Sequence, residues 1–157
     1  KHPALFDKDV EELLVNLDSV PLDIRTAVRN FGGGFVNHNV FWECMGSKSS
    51  GVPHGKILNT IVKDFGSFDE FRKQFTASAV GLFGSGYTWL VVSDGKLEII
   101  NTKDQDSPIS LGKKPVLVID VWEHSYYVKH FWNRVEYIND WWQLVNWSQV
   151  EKNYLHS

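Results

Sequence analysis

At Gly84-Ser85-Gly86 the hydrophobic period of the chain changes from that of a helix to that of a strand, and this change divides what it can fold into. Upstream, Val10, Leu13, Leu14 and Leu17 fall on one helical face, and Pro21 stands where a second helix begins. That helix is expected to reach about Phe31 and to break or bend at Gly32-Gly33-Gly34. In the next helical stretch Phe35, His38, Phe41, Trp42 and Met45 share one stripe, so a histidine lies among large apolar groups. A polar connector follows (GSKSSGVPHG), then a helix over 55–64. Ser67-Phe68-Asp69-Glu70 reads as a capping box opening another helix, with Phe68, Phe71, Phe75 and Leu82 on its buried face.

Downstream of the glycines, residues 87–93 and 96–101 read as strands joined by Asp94-Gly95, a strong two-residue hairpin signal. A loop over 102–114 leads to Pro115-Val116-Leu117-Val118-Ile119, an apolar run of strand length expected at the centre of the sheet. A last helix opens near Asn133, with Val135, Ile138, Trp142 and Val145 towards the core. The order predicts an α+β fold: N-terminal helices, then a three-stranded antiparallel sheet flanked by helices. The expected division is 1–46 helical, 47–55 linker and 56–157 α/β.

Composition narrows the function. Hydrophobic residues make up 43% of the chain, enough for a packed core. The net charge is −3 and no basic run exceeds two residues, which argues against nucleic acid as a partner. No apolar run approaches the ~18 residues of a membrane-spanning helix. Cys44 is the only cysteine, so neither an internal disulfide nor a thiolate zinc site can form.

The strand that ends in Asp120 carries the most informative chemistry. A carboxylate at the end of a buried apolar strand is costly unless paired, and a cation would satisfy it. His124 follows four residues later, and His38 could add a second imidazole. Two imidazoles and one carboxylate suit manganese or iron in a mixed nitrogen and oxygen site. Pattern alone leaves the alternatives open. A histidine on an apolar stripe more often bonds to backbone in a core, and Asp-x-x-x-His reads evenly as a structural ion pair.

Five motifs together resemble the iron/manganese superoxide dismutase family. Asn37-His38-Asn39-Val40-Phe41-Trp42 looks like its ligand-bearing helix, and Phe83-Gly84-Ser85-Gly86-Tyr87-Thr88-Trp89 like its approach to the sheet. Gln105-Asp106-Ser107-Pro108 is similar to the loop that supplies a buried outer-sphere glutamine. Asp120-Val121-Trp122-Glu123-His124 with Tyr126-Tyr127 resembles the family signature, and Val145-Asn146-Trp147 the closing helix.

The resemblance implies a fold like that family's C-terminal domain, superoxide as substrate, and His38, Asp120 and His124 as metal ligands. It implies that Gln105 hydrogen-bonds the metal's solvent ligand and tunes its potential. It also implies that Trp122 walls the pocket, that Glu123 and Tyr127 lie at a homodimer or higher interface, and that Arg134 stands near that interface and the substrate funnel. Gln105 together with Gly34 looks manganese-type, with iron possible, because the iron type takes its glutamine from the position of Gly34. The family places a helical hairpin with another histidine ligand before the sequence that Lys1-His2-Pro3-Ala4-Leu5 resembles, so a chain lacking that hairpin is expected. Phe35, Tyr87, Val135 and His130-Phe131-Trp132 depart from the family pattern. Two other readings are a non-catalytic, superoxide-dismutase-like assembly protein and a non-haem iron oxygenase; the close His-x-Asp/Glu pair of the latter is missing.

Overall fold

A computed structural model describes residues 1–47 and 51–156. Lys48, Ser49 and Ser50, within the expected 47–55 linker, lie outside the described residues, as does Ser157. The helices are α1 (Val10–Val15), α2 (Leu22–Ala27), α3 (Gly33–Glu43), α4 (Gly55–Phe65) and α5 (Phe68–Gly81). Strands β1 (Gly86–Ser93), β2 (Lys96–Lys103) and β3 (Lys114–Asp120) follow, then α6 (Tyr127–His130), α7 (Arg134–Trp141) and α8 (Trp147–Leu155). Helices therefore precede a three-stranded antiparallel sheet flanked by helices.

Local chemistry sets most boundaries. Ser67 Oγ accepts from Glu70 N (3.1 Å), Asn133 caps α7 through Glu136 N (3.1 Å), and Asn146 caps α8 through Gln149 N (3.2 Å). The chain thus closes with α8, a helix separate from the one opened at Asn133. Asp94 and Gly95 both take positive φ, 50° and 75°, as a tight turn with the twist of the flanking strands requires.

The glycines 32–34 do not interrupt the helix. A π segment, Val28–Gly32, joins α2 to α3 without a break, because the main-chain bonds continue through a wider turn. The apolar stripe of α3 is also not wholly buried. Val36, Asn37 and Phe41 face inward, while Phe35 and Trp42 are 60% and 63% exposed.

The sheet order is β2-β1-β3, so β1 and not the 115–119 run is central. Pro115 has no N–H to give a second neighbour, which suits an edge. The run is nevertheless buried because α3 and α8 pack against β3. α5 lies against β1 and β2, and α4 against β2. The pairing with β1 shifts between Leu90 and Val91, which oppose Leu117 and Pro115, so Val116 is the extra residue of a bulge. Its carbonyl accepts from Asn153 Nδ2 of α8 (3.2 Å). The core beneath is aromatic: Phe75 stacks on Trp141 at 5.7 Å and meets Trp142 edge-on at 5.4 Å. Cys44 is buried within it, its thiol pushed up to about 12, chiefly by burial, so it is an inert core group. Val135, expected to face the core, is 49% exposed; Ile138 and Trp141 fill that side of α7.

Phe75→Ala should lower stability by about 3–5 kcal/mol through the cavity it leaves. Val135→Ala should stay within about 0.5 kcal/mol. Denaturant unfolding of the two variants checks both values.

Candidate metal centre

Asp120 ends β3 with its carboxylate fully buried. Oδ1 accepts from Trp122 N (2.8 Å), which turns the chain sharply after the strand. The turn Glu123–Ser125 then brings His124 back, placing Nε2 3.0 Å from Asp120 Oδ2. From the opposite side, α3 packs on β3 and delivers His38 Nε2 to 3.3 Å from the same oxygen. The candidate ligand atoms of His38, Asp120 and His124 all lie within 4.8 Å of one another.

The hydrogen bonding of His38 decides how this cluster can be satisfied. Its Nδ1 lies 2.7 Å from Gly34 O, one helical turn back. A carbonyl only accepts, so Nδ1 carries the proton. In the neutral ring Nε2 is then a bare lone pair aimed at a buried carboxylate oxygen. Two lone pairs at that distance repel unless a proton or a metal cation stands between them. The backbone bond to Nδ1 is also the arrangement that orients imidazole ligands on metals. Phe41, Trp42, Met45 and Leu144 wall a cavity of about 420 Å³ over the three residues.

The other site candidates are distributed around this cluster. Trp122 stacks on His124 (ring centroids 5.6 Å apart) and donates from Nε1 to Asp104 O (3.1 Å). Gln105 reaches the cluster through Tyr87, whose hydroxyl donates to Gln105 Oε1 (2.7 Å) while its ring meets His38 edge-on at 5.9 Å. Gly33 and Gly34 permit this approach: a Cβ on Gly33 would stand 2.0 Å from Gln105 O, and one on Gly34 3.1 Å from Gln105 Oε1. Glu123 and Tyr127 are exposed, the first in the turn that carries His124 and the second at the start of α6. Arg134 is not a loose surface cation. It donates to Leu82 O, to Gly84 O (2.8 Å) and to Tyr126 OH (3.2 Å), clamping the chain as it enters β1.

Two residues of the site escaped the sequence reading. Tyr87 stood out only as a departure from a family pattern, and Tyr137 carried no signal. Tyr137 donates from its hydroxyl to Asp120 O (2.9 Å), fixing the backbone of the central carboxylate. Both phenols are held above the ordinary tyrosine range, first by burial and then by the charge of Asp120, so both remain hydrogen-bond donors.

Residues 53–153 match the family described as iron/manganese superoxide dismutases, C-terminal domain. The chain belongs to the iron/manganese superoxide dismutase family. It is 53% identical over 153 residues to the superoxide dismutase [Mn] of Listeria innocua serovar 6a and to that of Listeria monocytogenes serovar 1/2a. Identity to the superoxide dismutase [Mn] of Listeria ivanovii is 51% over 153 residues. Each alignment spans 98% of this chain and 76% of the relative. Tyr87, Gln105, Asp120 and His124 fall inside the stretch that matches the dismutase domain, and His38 precedes it.

Raised phenol pKa values have a measurable consequence in this dismutase-family chain. The unfolded state releases these protons near pH ~10, the folded state only above that. The contribution of the two tyrosines is complete below pH ~10 and lost as pH rises further. A spectroscopic alkaline titration should therefore show Tyr87 and Tyr137 ionising only with unfolding, and one of these late steps should vanish in Tyr87→Phe.

Proposed function

We propose that this chain converts superoxide to dioxygen and hydrogen peroxide with manganese held by His38, Asp120 and His124. One observation carries the reading: a fully buried carboxylate oxygen faces two imidazole nitrogens, and the hydrogen bond of His38 leaves its own facing nitrogen without a proton. The donor set of two nitrogens and one carboxylate oxygen fits manganese. The names of the Listeria relatives support the same metal. Membership in the family sets the oxygenase reading aside.

Manganese held by His38, Asp120 and His124 would supply one-electron redox chemistry for the disproportionation of superoxide. The chain supplies placement and protons. Gly34 O holds the His38 ring through Nδ1–H, and Trp122 N and Tyr137 Oη fix Asp120 from both ends. The hydroxyl of Tyr87 occupies the oxygen of the Gln105 amide, so Gln105 offers its NH2 group as donor. Tyr87 keeps its own proton at Oη because burial and Asp120 disfavour the phenolate. Phe41, Trp42 and Met45 give the cavity over the cluster an apolar wall. The net charge of −3 gives no overall attraction for an anionic substrate, so steering falls to local positive charge.

The reading extends to association of two or more copies through the α6–α7 side. Val128, Phe131 and Trp132 are 92%, 62% and 85% exposed there, beside Glu123 and Tyr127.

The test is metal content by elemental mass spectrometry together with superoxide consumption on the same sample. One manganese per chain with activity supports the reading; a metal-free, inactive chain after manganese loading contradicts it. His124→Ala should abolish metal retention, because it removes one of only two imidazoles facing Asp120. Gln105→Leu should keep the metal and lose turnover by about 10–100-fold, the usual cost of an outer-shell partner.

A further inference from the structure

Gln105 sits in a short loop held by groups of the sheet and the turns beside it and, from the other side, by the helical rod that carries His38. The backbone turns at Asp104, a non-glycine residue at φ 49°. Asp104 N donates to Ser85 O (3.0 Å) and Asp106 N to Lys103 O (3.0 Å). Asn37 Nδ2, fully buried, donates to both Gln105 O (3.3 Å) and Asp106 O (3.1 Å). Gly33 gives Gln105 O the room that a side chain would take. All these contacts hold the loop's main chain. Among the described residues, this helical rod grips the loop's own side chains through a two-pronged ion pair: Arg29 Nε donates to Asp106 Oδ1 and Nη2 to Oδ2 (2.6 Å).

Arg29, Gly33 and Asn37 follow one another at four-residue steps along the rod formed by the π segment and α3. His38 is the next residue. Arg29 therefore ties the loop to the rod at a second point, two turns away from Asn37. Ser85 and Trp122 hold the Asp104 end of the loop, whereas from the rod the Asp106 end is held by Asn37 and Arg29, so loss of the Arg29 pair leaves that end free to rock about Asn37. The Gln105 amide, gripped at Oε1 by Tyr87, moves with such rocking.

We propose that Arg29 is a positioning residue for Gln105, acting through its bidentate ion pair with Asp106. This rests on the dismutase reading above and deepens it. The pair joins residues 77 apart in sequence and couples the placement of the Gln105 amide to that of the His38 ring. Both side chains are partly exposed, 45% and 37%. Their loss therefore costs little of the fold, and the effect falls on geometry. Arginine matters here for its planar fork, which lysine lacks.

Three variants test the proposal: Arg29→Gln, Asp106→Asn, and the exchange Arg29→Asp with Asp106→Arg. Nuclear magnetic resonance of the Gln105 side-chain amide in metal-free protein reads its placement directly, the signal being assigned by its loss in Gln105→Leu. Either single variant should shift or broaden that signal. Each should also retain metal as wild type does, lower turnover about tenfold, and shift the midpoint potential of the loaded protein. The exchange should restore part of both. An unchanged amide signal with unchanged turnover overturns the proposal. Turnover that falls only in proportion to lost metal overturns it too, because the pair would then be merely structural. A wild type that neither holds manganese nor consumes superoxide overturns the dismutase reading instead, while the amide signal still tests the placement of Gln105.

Discussion

A carboxylate removed from water is among the most expensive groups a fold can contain, at several kcal/mol even after relaxation. Asp120 is such a group, and the surrounding architecture is arranged around it. One oxygen is met by the amide of Trp122, and the main-chain carbonyl by Tyr137. The second oxygen is met only by two imidazole nitrogens, one of which has no proton to give when its ring is neutral. A cation bound by all three resolves the conflict, and the dismutase chemistry assigned to the chain follows from the cation that suits this donor set.

Two parts of the fold meet at that point. The sheet ends in Asp120 and, through the turn after it, presents His124. The rod running from α2 through the π segment into α3 presents His38 and, on the adjacent face, Arg29, Gly33 and Asn37. Their relative placement is set by the packing of α3 on β3 and by the loop that carries Gln105. The glycines 33 and 34 belong to this contact. They act as clearance for a crossing backbone and leave the helix continuous.

Features with local causes were legible in the sequence. The Asp94-Gly95 turn, the Ser67 cap and the end of the apolar strand at Asp120 each depend on a few neighbouring residues. Sheet order was not legible, because burial of 116–121 comes from α3 and α8, elements remote in sequence, and an edge strand so covered reads like a central one. The stripe Phe35, His38, Phe41, Trp42 and Met45 predicted one buried face; of it Phe41 is buried, together with Val36 and Asn37, while Phe35 and Trp42 are exposed. The three residues of the centre came from one motif and one resemblance. Tyr87, Tyr137 and the Arg29–Asp106 pair depend on distances between segments far apart in the chain, which no local pattern encodes.

The most direct test of the central claim is pulsed electron paramagnetic resonance on the chain after removal of metal and addition of one equivalent of Mn(II). The account predicts loss of the free-ion spectrum and nitrogen couplings from two imidazoles in the wild type, and return of the free-ion spectrum in His124→Ala. A spectrum that remains that of the free aqua ion, or nitrogen couplings that persist when both histidines are replaced, would contradict it.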